Sequence, residues 1–372
     1  MFKLSSMKFK IILAFLATIL VLIACSGPAE SIKDDDPKVF LITLDGLRWQ
    51  ELFSGIDSSL MNDKDFTNGI AELKSAYWDN DQEVRREKLM PFFWNTIANQ
   101  GQLYGNRWEG SEMNATNNFW FSYPGYNEIL TGFADDERIT SNAKNNNPNV
   151  TALEFVNNQA GFTGKVAAFG SWDVFPYIVN EERSGIPVNA GFEHAVGSDL
   201  NEKEMFLNKL QDETPSPWGT VRLDVFTHNF ALEHIKKTQP KLVYISYGET
   251  DDFAHNGDYA NYIKSANRTD QFISDLWDFI QSSDYYKDYT SIIITTDHGR
   301  GTVPKGSWRG HGTSVENAGQ IWAAAIGPKA NAAGLVKGQF YQNQIARTVV
   351  EALELKYDQA KAGAVISEMI SK

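Results

Sequence analysis

Six side chains able to hold a cation stand at or just beyond the ends of apolar runs in this sequence. "FLITLDG" carries Asp45, "YISYGETDDFAH" carries Asp251 and His255, "IIITTDHG" carries Asp297 and His298, and "SWRGHG" adds His311. Imidazoles and carboxylates without thiolates suit zinc, with manganese or another divalent ion as the alternative. A catalytic zinc normally takes three protein ligands and keeps one position open, so six side chains fit two divalent metal ions. Two metals about 4 Å apart can hold the attacking and leaving oxygens of an in-line phosphoryl displacement. Taken singly the residues say little, since Asp45 before Gly46 reads as an ordinary turn. Jointly they say more, because the chain has six histidines and half of them fall in these motifs. His194, His228 and His234 read as structural, the last two on a helix whose apolar face packing explains.

The elements that must position these residues are legible from the apolar runs. "KVFLITL" (38–44), "KVAAFG" (165–170), "KLVYISY" (241–247) and "SIIITT" (291–296) read as strands, and "QIWAAAIG" (320–327) fits the same pattern. None alternates cleanly, as expected for strands buried on both faces. Helical segments lie between them at 91–101, 151–161, 221–237 and 342–355, with Pro91 suited to a first turn and Gly101 to a C-terminal cap. The order implies a three-layer α/β/α sandwich around a mainly parallel sheet, whose ligands gather at the carboxyl ends of the strands. Residues 171–220 are richer in Pro, Gly, Glu and Trp, and read as a small cap or elaborated loops over the site. We find no internal repeat.

One further stretch, "NFWFSYPGYNEILTG" (118–132), sets Ser122 among aromatics at a helix start. Alone, this serine reads as a helix cap sooner than as a nucleophile. A serine hydroxyl attacks poorly unless a base or a metal ionises it. Pro124 suits a first helical turn, which would turn free amides and the positive end of the helix toward a bound phosphate.

The set "LITLDGLR", "SYPGYNEILTG", "GETDDFAH", "TTDHG" and "RGHG", in that order, resembles the alkaline phosphatase superfamily, and within it the nucleotide pyrophosphatase/phosphodiesterase-like and related phosphatase branches. The resemblance runs from residue 38 to about 327. It implies one zinc on Asp251, His255 and His311, a second on Asp45, Asp297 and His298, and Ser122 as the nucleophile that becomes a phosphoserine. Asp251 is preferred to Asp252 because the family spaces its aspartate and histidine four residues apart. Asn142 matches an asparagine that contacts phosphate, although 142–149 is asparagine-rich. Two departures bear on substrate. Many members carry threonine followed by x-Pro-x-His at the nucleophile, and sulfatases carry Cys/Ser-x-Pro-x-Arg; here Tyr126 stands in that last place, which argues against a sulfatase. The Lys-x-Arg pair of one phosphatase branch is also missing after "KVAAFG", where "SWDVFP" follows. Arg48, Arg300 and Arg309 are candidates to supply the charge, and Trp120, Tyr123, Tyr126, Trp172 and Trp308 to line an apolar pocket. The balance leans toward phosphate diesters, with a phosphomonoesterase, a phosphomutase and a non-catalytic surface-binding lipoprotein as alternatives.

Composition bounds the setting. Lysines 3, 8 and 10 precede "IILAFLATILVLIA", which is followed by Cys25, the sole cysteine. This reads as a signal peptide over 1–24, shorter than the roughly 20 apolar residues of a membrane span. "LIAC" resembles the lipobox of bacterial lipoproteins, implying lipidation at Cys25, an acidic tether over 25–37, and an exported, membrane-anchored protein, periplasmic or on the cell surface. The body then occupies 38–372. Formal charge is -13 and becomes more negative once the three lysines are removed. That excess argues against nucleic-acid binding, which needs clustered Lys and Arg. The expected partners are a small-molecule, lipid or nucleotide phosphate ester and, through the anchor, a membrane.

Overall fold

A computed structural model describes residues 35–370, and from Asp36 onward the chain forms one compact unit. The signal segment, Cys25 and most of the acidic tether lie outside the described residues. Among the described residues no helix is long and apolar enough to cross a membrane.

Among the described residues eleven strands appear in chain order: β1 (Lys38–Leu44), β2 (Gln102–Tyr104), β3 (Ser111–Asn114), β4 (Val166–Gly170), β5 (Val188–Ala190), β6 (Leu242–Tyr247), β7 (Thr290–Thr295), β8 (Gln320–Ile321), β9 (Ala323–Ile326), β10 (Gly334–Leu335) and β11 (Gly338–Tyr341). Eight of them form one sheet in the order β10-β2-β9-β7-β1-β6-β4-β5, and β11-β3-β8 form a second, three-stranded sheet. The run β7-β1-β6-β4-β5 is parallel, while β9 lies antiparallel to both β7 and β2. The fold is therefore a mixed α/β sandwich about a mainly parallel sheet, as the alternation of elements predicts.

The absence of alternation in β1 has a direct cause. Phe40, Ile42 and Leu44 enter one apolar core and Val39 and Leu41 the other, so both faces are covered and both must be apolar. Register then brings the chemistry together. Leu44 pairs with Tyr247 and Thr43 with Thr295, so β7, β1 and β6 end side by side and release Asp297, Asp45 and the Asp251 segment at one edge.

Several elements differ from the sequence expectation. The 320–327 run breaks at Trp322, whose indole N–H donates to Leu47 O at 2.8 Å. The 91–101 segment is a π-turn, Phe93–Ile97, followed by Ala98–Gln100; Asp270 accepts the Phe92 and Phe93 amides at 2.7 and 2.9 Å. The Tyr259–Ser282 helix, 24 residues long, was not anticipated, although Tyr262, Ile263, Ala266, Ile273, Leu276 and Ile280 mark its buried face at helical spacing. The 171–220 stretch contains the Phe175–Val179, Glu181–Ser184 and Glu202–Glu213 helices, and its strand β5 closes one edge of the main sheet beside β4.

Candidate metal centre and nucleophile

Asp45 leaves β1, and Asp297 and His298 leave its neighbour β7. His298 Nε2 lies 3.3 Å from Asp45 Oδ1 and 3.3 Å from Asp297 Oδ2. All three of these atoms are buried without a hydrogen-bond partner. The opposite atom of each side chain is held. Tyr126 donates to Asp45 Oδ2 at 2.8 Å, the Gly46 amide donates to Asp297 Oδ1 at 3.0 Å, and His298 Nδ1 donates to Gly299 O at 2.9 Å. This is the pattern of metal ligands oriented from behind. Buried polar atoms without partners are costly, and a dication seated among the three would satisfy them. Burial and the adjacent Asp45 carboxylate push Asp297 above the usual carboxylate range. Burial pulls His298 down, but Asp297 and Asp45 more than offset it and hold the imidazole high.

The second group adjoins the first. Asp251 and His255 lie one turn apart on the Glu249–His255 helix, which sets them on one face. His255 Nε2 is 3.1 Å from Asp251 Oδ2 and 2.9 Å from His311 Nε2. Asp251 Oδ1 is 3.7 Å from the Nε2 atoms of both His298 and His311, so the two groups share an edge. Asp45, Asp297 and His298, and likewise Asp251, His298 and His311, offer ligand atoms close enough for one ion. Burial and neighbouring imidazoles hold His255 and His311 below the ordinary histidine range, hence neutral and able to ligate. Asp252, a hundred degrees further round the helix, makes none of these contacts; burial, then Asp45, pushes it up to about 7.

Buried polar residues fasten this frame. Asp224 accepts the Gly248 and Glu249 amides at 2.8 and 3.2 Å and the Ser171 hydroxyl at 2.6 Å, fixing the start of the helix that carries Asp251. Gln342 Nε2 donates to Asp297 O at 2.6 Å.

Ser122 opens the Ser122–Thr131 helix and is only 5% exposed. The helix reaches the first metal group through Tyr126 and through Gly125, where an added Cβ would meet Asp297 O at 2.4 Å. Asn142 stands at its start, Oδ1 accepting the Tyr123 amide at 3.0 Å. This narrows the expected set of free donors: Tyr123 N–H is taken, Pro124 has none, and Gly125 N–H returns to Phe121 O at 3.0 Å, leaving the Ser122 amide. Trp120, two residues before Ser122, holds a left-handed φ of 49°, an uncommon conformation for a bulky side chain.

The sequence-predicted ligands, Ser122 and Asn142 are thus brought to one edge of the sheet. Other expectations are corrected. Arg48 is buried against Glu51 and Gly301 O, Arg300 is buried against Asp251, and Arg309 donates to His255 O at 3.1 Å. The guanidiniums of Arg48 and Arg300 are already paired with carboxylates, whereas Arg309 is exposed and keeps its charge. Among the aromatics, Trp308 packs between Phe66, Tyr259 and Tyr262, Tyr123 binds Asn145 O at 2.7 Å, and Tyr126 serves Asp45. Only Trp120 and Trp172 keep partial exposure. His228 is buried against Phe272 and His234 half-buried against Phe169, and His194 pairs at the surface with Asp212. The roles of Asp224 and Gln342 had no signal in the local sequence.

Comparison with known proteins agrees with this frame. A model described as the Metalloenzyme superfamily matches residues 194–313, the span that contains Asp251, His255, Asp297, His298 and His311. Curated proteins yield no matching relative. Among solved structures, the alkaline phosphatase PafA superposes with a TM-score of 0.59 at 12% identity, covering 90% of this chain and 99% of that one. The phosphonate monoester hydrolase SpPMH from Silicibacter pomeroyi gives 0.57 at 13% identity, over 90% and 76% of the two chains. A 2-O GAG sulfatase gives 0.56 at 11% identity, over 91% and 75%. The chain has the fold of the alkaline phosphatase superfamily, as its five motifs implied.

Proposed function

We propose that this protein is an exported hydrolase that cleaves phosphate esters through Ser122, with two divalent ions, zinc by preference, held by Asp45, Asp297 and His298 and by Asp251, His255 and His311. The observation that carries the reading is the trio of unpartnered ligand atoms on Asp45, Asp297 and His298, set against the helix that begins at Ser122. When bound, the ions supply Lewis acidity at the phosphoryl oxygens and lower the pKa of the serine hydroxyl. Ser122 Oγ would attack phosphorus as the ester oxygen leaves with the proton that the hydroxyl gives up, and water would then hydrolyse the phosphoserine to free serine and phosphate, a monoester where the substrate is a diester. The Ser122 amide and the positive helix end would stabilise the charged oxygens, and Asn142, whose Oδ1 accepts the Tyr123 amide, would donate to one of them through Nδ2.

Diesters are favoured over monoesters because the buried arginines near the site pair with carboxylates, Arg48 with Glu51 and Arg300 with Asp251, and Lys144 pairs with Asp173 at 2.7 Å, which leaves exposed Arg309 as the guanidinium near the site without a carboxylate partner among the described residues. A dianionic monoester would find little free positive charge beyond the metals. The decisive assay compares aryl phosphate diesters, monoesters and sulfate esters, with and without chelator and with Ser122→Ala. Turnover of diesters that falls at least about a hundredfold in Ser122→Ala and on chelation is expected; activity that survives both overturns the reading. Sulfate-ester turnover alone would place the enzyme among sulfatases despite Tyr126. Export and anchoring rest on the "LIAC" motif, and Cys25→Ala is expected to move the protein from the membrane fraction to the soluble one.

A further inference from the structure

The two proposed half-sites differ in charge. Asp45, Asp297 and His298 bring two carboxylates to one ion, whereas Asp251, His255 and His311 bring a single carboxylate. That carboxylate already carries a cation. Arg300 is buried, 1% exposed, and its guanidinium contacts Asp251 Oδ1 while Nη2 also donates to Asp251 O at 3.1 Å. Nε donates to Gly46 O at 3.1 Å and Nη1 to Arg309 O at 2.8 Å, so the group is clamped on three sides. Residue 46 must be glycine for this: its φ is +58°, and an added Cβ would lie 2.9 Å from Arg300 Nε and 2.9 Å from Asp251 Oδ1.

Counted formally, the first half-site offers a dication two negative charges, and the second offers none once Arg300 is included. The clamp also leaves Asp251 Oδ2, 3.1 Å from His255 Nε2, as the carboxylate oxygen that Arg300 does not contact. We propose that Arg300 makes the metal sites unequal, so that Asp45, Asp297 and His298 keep their ion while Asp251, His255 and His311 hold an exchangeable one. Arg300 is a positioning residue here, acting through Asp251. The inference rests on the two-metal reading of the proposed function.

Equilibrium dialysis of the purified full-length protein against zinc or manganese, with bound metal counted, separates the possibilities. One equivalent is expected to bind at least about tenfold more tightly than the second. His255→Ala should remove only the weak equivalent. Arg300→Met should tighten the weak equivalent by about tenfold with the tight one unchanged, and Arg300→Lys, which keeps the cation, should preserve the inequality. Two equal equivalents in the wild type, loss of the tight ion in His255→Ala, or a weak site that loosens in Arg300→Met would each overturn the proposal. If Arg300→Met does not fold, Arg300→Gln, which keeps hydrogen-bond donors but removes the charge, takes its place with the same two outcomes. Absence of any bound metal in the wild type would overturn the two-metal reading as well, which distinguishes the two failures.

Discussion

The Tyr126 hydroxyl donates to Asp45 Oδ2 at 2.8 Å and accepts from Ser246 Oγ at 3.1 Å. The side chain that departs from the family pattern at the nucleophile therefore faces the metal group, and it leaves Asp45 Oδ1 as the oxygen turned toward His298. Tyr126→Phe retains the buried ring and removes the donor. The expected result is a loss of about 10- to 100-fold in affinity for the tightly held ion, with the melting temperature of the metal-free protein little changed. A zinc-binding isotherm with parallel thermal unfolding checks both parts.

Gly125 lets the Ser122–Thr131 helix approach the backbone of Asp297. A methyl group there would sit 2.4 Å from Asp297 O and 3.0 Å from its carbonyl carbon, and backbone cannot swing aside as a side chain can. Gly125→Ala should cost about 1–3 kcal/mol of stability and depress turnover by about a hundredfold through displacement of Ser122 or Asp297. Gly219→Ala, where an added Cβ meets nothing within 4 Å, should leave both unchanged. Chemical denaturation and ester hydrolysis measured together separate a folding effect from a positional one.

Glu128 ties the loop before Ser122 to the helix that Ser122 starts. Its buried carboxylate accepts the Thr116 amide at 2.9 Å, the Thr116 hydroxyl at 2.8 Å, and the Asn117 amide and carboxamide at 2.8 Å each. Glu128→Gln brings an NH2 group against these donors. We expect a loss of about 2 kcal/mol or more, read as a lower denaturation midpoint, and a smaller loss for Thr116→Ala.

His228 predicts an acid limb in the stability curve. The ring is stacked on Phe272 at 4.6 Å and hydrogen-bonded to Tyr247 at 3.1 Å. Burial, then Lys236, lowers it to about 4. Between the ordinary histidine value and that figure, the unfolded chain binds a proton that the folded chain refuses. Stability is therefore full above pH of about 6.5 and falls as pH drops through this window, by up to about 3 kcal/mol from this residue. In His228→Phe this part of the slope should vanish; an unchanged slope between pH 4 and 6.5 would assign the acid sensitivity elsewhere.

Much of the fold was legible because it rests on local rules. A strand covered on both faces must be apolar throughout, so 38–44, 241–247 and 291–296 announced themselves, and in a parallel sheet the residues after such strands gather at one edge. Asp45, Asp297 and His298 follow from that rule. The 24-residue Tyr259–Ser282 helix carries its apolar spacing in the local sequence, whereas the break at Trp322 depends on an indole bond to Leu47, 275 positions away in the chain.

By itself, the sequence determined which residues have metal-binding chemistry, that a hydroxyl stands at a helix start, and that the sheet is mainly parallel, since composition and periodicity act over a few residues. Tertiary structure alone decided how they are used. Tyr126 turns to Asp45 across 81 positions, and Arg300 clamps Asp251 across 49, instead of meeting a substrate. Such contacts follow from the β7-β1-β6 strand order and the packing of helices across it, which no window of neighbouring residues encodes.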